Sequence, residues 1–448
     1  MIANRGHIPV LLMFSAVYTL IMFLIAPKEY SFSFCVVNFV PFVYAVFVLL
    51  KNRCKNNLVN LEFVFSIIFF YVNYAYPLFY YPVMPYFSLF NLSFPEEYIN
   101  KGIALTSLAY ISFVIGLLKY KILPINSEKD YICISPLIKR LDYLLLIILL
   151  LQLIPILLSG VYDGNWGEGA FTKVLVDTIS FFLVFAGLSN SSSLKKYLQN
   201  NKLLVFLLFA YVGVITVIGN RGTFLRFTLL TIFFYTSYYK KVSTSVIMAS
   251  MIVGMLFMNY VGAVRGGGSY ESLGSQDMNP LLVMGKDLII NNRSLYTLME
   301  YHDLYGVNWG KTFLMNILSV IPFAQRTFLF ISGWSSDDIS SGGLITRAFF
   351  EENPDMERIG LGTNMIGDIY IAFGLIGVIL FMYYLGIFVS YSYRQAQQGN
   401  SKYLLIYTIL FAESIIMARS PYLGTLRPLT WILFIAYFSK RLVAKRLT

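Results

Sequence analysis

Four arginines stand at the ends of long apolar runs, where lysine is scarce: Arg221 in GNRGTF, Arg265 in AVRGGGS, Arg419 in MARSPY and Arg427 in TLRP. Arg226 lies a little inside its run. A guanidinium is always charged and presents a planar fork that fits phosphate oxygens bidentately. Any one of these residues is equally suited to snorkel to a lipid headgroup or to cap a helix C-terminus. Four of them at the same kind of position favour a shared phosphate or anion site made by Arg221, Arg265, Arg419 and Arg427. Two acids lie inside apolar runs near the same ends. Asp368 sits in LGTNMIGDIYIAFGLIGV, and Glu413 precedes Arg419 by about 9 Å of helix. An acid in hydrocarbon is expensive, so it lines a cavity or carries a cation with it. Asp368 is therefore read as a general base for a hydroxyl or as half of an inter-helix bond. Glu413 leans further toward an internal pair, and Lys173 and Asp177, four residues apart, satisfy each other. His302, beside Asp303 in LMEYHDLYG, is the second base candidate, whereas His7 belongs to a surface. The triplet Gly266–Gly268 lacks the Lys-Ser/Thr of a phosphate loop and implies no nucleotide fold. No group of His, Cys and acids has metal-ligand spacing, so neither a metal nor a cofactor is expected.

The elements that must position these residues are membrane helices. Of 448 residues, 57% are apolar, 17% aromatic and only 13% charged, against about 25% charged in a soluble domain. A soluble enzyme, a nucleic-acid binder and a disordered chain are excluded despite the net charge of +11. Twelve apolar runs are visible, at approximately 8–26, 33–50, 58–82, 102–118, 141–159, 170–189, 203–219, 223–239, 244–262, 364–390, 403–419 and 428–439. Every second connection is rich in Lys and Arg, from Lys51, Arg53 and Lys55 through Lys195, Lys196 and Lys202 to Lys440, Arg441, Lys445 and Arg446. The intervening ones are poor in Lys and mostly acidic, as with Glu96 and Glu97. This alternation places both termini in the cytoplasm. The first run reads as an uncleaved span, and Cys35, Cys54 and Cys133 show no disulfide or zinc framework. The expected fold is all-α and polytopic: nine helices over 1–262, a long outer loop over 263–363, and three helices over 364–448.

Within that loop, 281–300 and 312–332 read as helices. The second is apolar enough to span, but a single crossing there would invert every later loop against the charge rule. Pro322 and Arg326 also interrupt it. It is expected at the membrane interface or packed on the bundle.

The Arg in GNRGTF, the VRGGG after the next run, the ILSVIP segment and the pattern from Gly362 through Gly367, Asp368, Tyr370, Phe373 and Gly374 to Gly377 together resemble the Wzy-type O-antigen polymerases. The topology of nearly the whole chain is similar, and the motifs fall within 219–270 and 310–380. The resemblance implies a metal-independent glycosyltransferase of the bacterial inner membrane. It would move a growing glycan from undecaprenyl diphosphate onto the next lipid-linked oligosaccharide repeat unit. A chain-length regulator and a flippase are the implied partners, and nucleic acid is not. Arginines would steady the departing diphosphate, and Asp368 or His302 would take the proton from the acceptor hydroxyl. An O-antigen ligase, which shares the long loop and uses a loop histidine, and a lipid-linked oligosaccharide flippase are the alternatives.

Overall fold

The computed structural model describes residues 9–53, 59–83, 94–121, 130–159, 170–218, 221–240, 243, 246, 254, 288–354 and 360–447. Within them the chain is helical and contains no strand. Helices stand at the apolar runs: α1 (Val10–Leu24), α2 (Phe32–Arg53), α3 (Leu61–Asn73), α4 (Glu97–Leu117), α5 (Pro136–Ser159), α6 (Ala170–Asn190), then, after a short helix α7 (Leu194–Asn200) in a basic connection between runs, α8 (Lys202–Val217) and α9 (Arg221–Phe234). The long segment carries α10 (Asn291–Tyr305), α11 (Lys311–Leu318), α12 (Ala324–Ser332), α13 (Ser336–Ile339) and α14 (Ser341–Glu352). The chain ends on α15 (Met365–Gln397), α16 (Ser401–Met417) and α17 (Leu426–Leu447). The predicted run 244–262 lies almost entirely outside the described residues.

Helix placement agrees with most of the apolar runs, and among the described residues helix length marks four or five candidate spans. Among the described residues, α2, α4, α15 and Phe171–Asn190 of α6 are long and apolar enough to cross a bilayer. The pair α7 and α8, bent by 94°, makes a fifth if taken as one span. Helix α3 has only 13 residues, short of the ~20 a span needs, because a π-helical turn at Tyr76–Tyr80 carrying Pro77 follows it. A second π-helical turn, Tyr235–Tyr239, ends α9 in the same way.

Helix α4 is the axis of the bundle, with 89% of its apolar window enclosed by α1, α2, α15 and other elements. It crosses α15 at two glycines. A Cβ on Gly116 would come 2.1 Å from the carbonyl oxygen of Tyr383, and one on Gly386 equally close to that of Phe113. Only a glycine at each position lets the two backbones meet.

A buried ion pair fastens this crossing within a turn of the two glycines. Arg53 Nη2 lies 2.9 Å from Glu62 Oε1, and both side chains are almost wholly enclosed. Arg53 also caps the end of α4, donating to the carbonyls of Leu117 at 3.0 Å and Tyr120 at 3.2 Å, and it donates to Ser390 Oγ on α15 at 3.0 Å. Tyr407 on α16 donates to Glu62 Oε2 at 3.0 Å. One guanidinium and one carboxylate thus join five helices.

The segment 288–354 is built on α15. Leu298 of α10, Leu344, Ile345 and Phe349 of α14 and Ile371 of α15 form a second apolar cluster. Arg293 lies over the Phe349 ring at 5.4 Å, and burial pushes its guanidinium down to about 10. The predicted stretch 312–332 is broken, as Pro322 requires, into α11 and α12 around the turn 319–323.

Removing one member of the Arg53–Glu62 pair leaves the other charge buried and unpaired, at a cost of about 3–5 kcal/mol. Arg53→Ala and Glu62→Ala are each expected to lose most monodisperse protein on detergent size-exclusion chromatography. Arg53→Lys is expected to rescue little, because a point charge cannot reach four acceptors at once. The double variant Arg53→Leu/Glu62→Leu is expected to recover more than either single alanine variant.

Candidate functional site

The described helices leave a cavity of about 330 Å³ where α6, α9, α16 and α17 converge. Helical spacing puts its lining residues in line. Thr223, Arg226 and Phe227 share one face of α9, Ala412, Glu413 and Ile416 share one face of α16, and Val174, Asp177 and Thr178 share one face of α6. Arg427 enters from the first turn of α17, and Ser420, Pro421 and Gly424 close the wall from the turn between α16 and α17.

The charges are unevenly satisfied. Arg226 Nε lies 2.9 Å from Glu413 Oε1. Lys173 Nζ lies 2.8 Å from Asp177 Oδ2. Asp177 also accepts from Tyr211 Oη at 2.9 Å and Thr223 Oγ1 at 3.3 Å. Three cations (Lys173, Arg226, Arg427) therefore face two carboxylates (Asp177, Glu413). The surplus falls on Arg427, whose buried Nε has no hydrogen-bond partner among the described residues. A guanidinium fork in an apolar-walled cavity has the donor geometry that an anion's oxygens can accept.

Asp368 reaches this cavity indirectly. Asn364 caps α15 by accepting from the backbone N–H groups of Ile366 at 2.9 Å and Gly367 at 3.3 Å, which sets Asp368 in the first turn. Its carboxylate is fully buried, lies beside the Ser341 and Thr312 hydroxyls, and accepts the Tyr422 N–H at 2.9 Å. The Tyr422 ring stacks on Phe313 at 5.5 Å, and its hydroxyl donates to the Phe381 carbonyl at 2.8 Å. Met365 N–H donates to the Ala418 carbonyl at 3.1 Å. The turn that walls the cavity is thus fastened to the start of α15 at its first residue and at its middle.

His302 occupies the opposite flank of α15. Tyr370, two residues and so about 200° around the helix from Asp368, turns toward α1 and α10. Its ring centroid lies 6.1 Å from Phe23 and 4.3 Å from His302. His302 Nδ1 is 3.2 Å from Asp303 Oδ1. Asp303 Oδ2 accepts from Tyr98 Oη at 3.2 Å and lies 3.5 Å from Lys101 Nζ. His302 Nε2 is buried without a hydrogen-bond partner among the described residues and faces Gly374. Gly374 adopts φ +65° and ψ −162° inside α15, a conformation a Cβ would disfavour. The break frees the Ile371 carbonyl, which accepts the Asn308 N–H at 2.9 Å.

The sequence-predicted residues are therefore only partly gathered. Arg427 lines the cavity, and Asp368 holds the cavity wall. Arg419 ends α16 beside the same turn without lining the cavity. Arg221 opens α9, and its side chain lies outside the described residues, as does all of Arg265. His302 stands apart, across α15. The sequence marks Arg226, Asp177 and Glu413 as charges inside apolar runs but not as members of one cavity. Their signal is helical spacing: Arg226 lies three residues after Thr223, and Asp177 four after Lys173. Among the described residues no three His, Cys or acidic side chains are grouped as a metal site.

A family model described as O-antigen polysaccharide polymerase Wzy matches residues 8–446. The chain belongs to that family. No curated protein and no solved structure matches it.

The Asp368–Tyr422 bond makes a prediction that separates positioning from proton transfer. In Asp368→Asn the remaining amide oxygen can still accept the Tyr422 N–H. That variant is expected to keep long-chain polysaccharide, weakened less than about tenfold. Asp368→Ala is expected to lose a bond worth about 1.5–3 kcal/mol, and with it most polymer, in a gel of surface polysaccharide.

Proposed function

We propose, from membership of the O-antigen polymerase family and from the one uncompensated guanidinium in the cavity, that this protein joins lipid-diphosphate-linked oligosaccharide repeat units there. The lipid diphosphate of the growing chain lies against Arg427, with Arg226 beside it. An acceptor hydroxyl of the next unit attacks the anomeric carbon, forming a C–O bond. The bond from that carbon to the diphosphate oxygen breaks, and the electron pair leaves with the diphosphate, where the guanidiniums stabilise it. Glu413 takes the acceptor proton, because Arg226 orients one of its oxygens, whereas Asp177 is occupied by Lys173, Tyr211 and Thr223. Asp368 positions the 418–425 turn. Arg221, Arg265 and Arg419 are assigned to the path by which the headgroups arrive.

The same reading keeps twelve crossings with both termini in the cytoplasm of a bacterial inner membrane. It is supported by the Lys/Arg alternation and by helices at the described apolar runs. The cavity then opens toward the outer face. Alkaline phosphatase fused after residue 354 is expected to be active, and after residue 400 inactive.

His302 is assigned to sugars away from the reacting bond, since α15 stands between it and Arg427. A second reading rests on the His302–Asp303 dyad itself. A carboxylate orienting an imidazole is the arrangement of a general base, and an O-antigen ligase would use it. The two readings differ in outcome. If the cavity is the reaction centre, Arg427→Ala lowers long-chain polysaccharide by about 100-fold or more. Arg427→Lys recovers little of it because the fork is lost, and His302→Ala shifts the chain-length distribution without abolishing it. If the ligase reading holds, His302→Ala removes attached glycan while lipid-linked polymer accumulates.

A further inference from the structure

Helices α11 and α12 form a hairpin whose apolar side is largely exposed among the described residues. On α11, Thr312, Phe313 and Met315 face inward, whereas Leu314, Ile317 and, just beyond the helix, Ile321 face outward at 37%, 49% and 60% exposure. Helix α12 buries none of its residues. Phe323, Phe330 and Ile331, spaced to fall on one face, are 73%, 89% and 77% exposed. A patch of this kind marks a docking surface, and the attachment of the hairpin shows what covers it.

The turn of the hairpin is tied to the first turns of two bundle helices. Trp431 Nε1 on α17 donates to the Val320 carbonyl at 2.8 Å. The Phe323 ring lies 6.1 Å from Phe171, the second residue of α6, and Phe171 packs edge-on against Trp431 at 5.4 Å. Phe323 is held at φ +64°, a conformation an aromatic residue keeps only where the surroundings impose it. Phe171 also begins one of the segments long and apolar enough to cross the bilayer. Its first turn therefore marks the depth of the membrane boundary, where aromatic side chains collect. The hairpin is fixed at that depth. Its cations suit the headgroup layer: Lys311 lies 5.1 Å over the Trp334 ring, and Arg326 is exposed between Phe323 and Phe330.

We infer that α11–α12 is a lipid-docking hairpin, its Ile317, Ile321, Phe323, Phe330 and Ile331 face inserted among the acyl chains of the leaflet in which α6 and α17 begin. The depth expected is about 5–10 Å below the headgroups. Because Val174 and Ile432, which line the arginine cavity, lie within a turn of Phe171 and Trp431, the hairpin holds the cavity mouth at the leaflet boundary. That last consequence rests on the proposed function; the docking itself does not.

The experiment uses the full chain in anionic phospholipid vesicles, with Cys54 and Cys133 replaced by Ser and Cys35 left in place because it is buried. Nitroxide labels are placed one at a time at Phe330→Cys and Ile331→Cys. Leu151→Cys on α5 serves as the lipid reference and Glu351→Cys as the aqueous reference, 63% and 71% exposed respectively. Labels at 330 and 331 are expected to collide several-fold more with oxygen than with a water-soluble nickel chelate, as at 151. Collision ratios equal to that at 351 would overturn the inference. So would a disulfide joining residue 330 of two copies that forms equally in dilute vesicles, because a second copy would then cover the face. Neither readout depends on glycan transfer, so failure here and failure of the polymerase reading are distinguishable.

Discussion

A charge inside hydrocarbon must bring its partner with it. The helices of this protein are arranged around that constraint. Arg53 and Glu62 satisfy each other at one end of the bundle and fasten α2, α3, α4, α15 and α16 while doing so. Lys173 with Asp177, and Arg226 with Glu413, obey the same rule where α6, α9, α16 and α17 meet. Each pair is costly to bury and costlier to break. Against that background Arg427 has no carboxylate beside it among the described residues, its buried Nε has no hydrogen-bond partner there, and it lies in a cavity. The account of function grows from that single imbalance of charge.

Helix α15 divides the polar centres from each other. Its first turn presents Asp368 to the turn carrying Tyr422, and Tyr370 to His302, on opposite sides. Three glycines shape it for this place. Gly367 admits Leu298 of α10, Gly374 breaks the helix beside His302, and Gly386 lets α4 approach. The glycine-rich signature is therefore an instruction for packing and kinking as much as for chemistry. It also explains how a fully buried aspartate can matter to a cavity it does not line: it acts through the backbone of Tyr422.

Much of this was legible in the residues. Apolar runs located most of the helices. Pro322 marked the break between α11 and α12, and four-residue spacing announced the Lys173–Asp177 pair. The leaning of Glu413 toward an internal ion pair also followed from its place in an apolar run. Span lengths were less legible, because π-helical turns at Tyr76–Tyr80 and Tyr235–Tyr239 interrupt runs that hydropathy reads as continuous. The grouping of site residues was not legible at all. Arg226 and Glu413 are 187 positions apart in the chain, and only the packing of α9 on α16 makes them neighbours. Sequence equally gives no sign that α15 stands between His302 and Arg427, since that depends on which flank each helix occupies.

The central claim is that Arg427 receives a lipid-linked diphosphate, and binding tests it more directly than synthesis does. Purified protein in lipid nanodiscs would be titrated with a fluorescent short-chain polyprenyl diphosphate, for the wild type and for Arg427→Ala. The account predicts that Kd rises by about tenfold or more in the variant, the value of one charge-assisted bond, while the corresponding polyprenyl alcohol binds both proteins alike. Equal diphosphate affinity in the two proteins would contradict it, and the surplus charge in the cavity would then have no ligand to explain it.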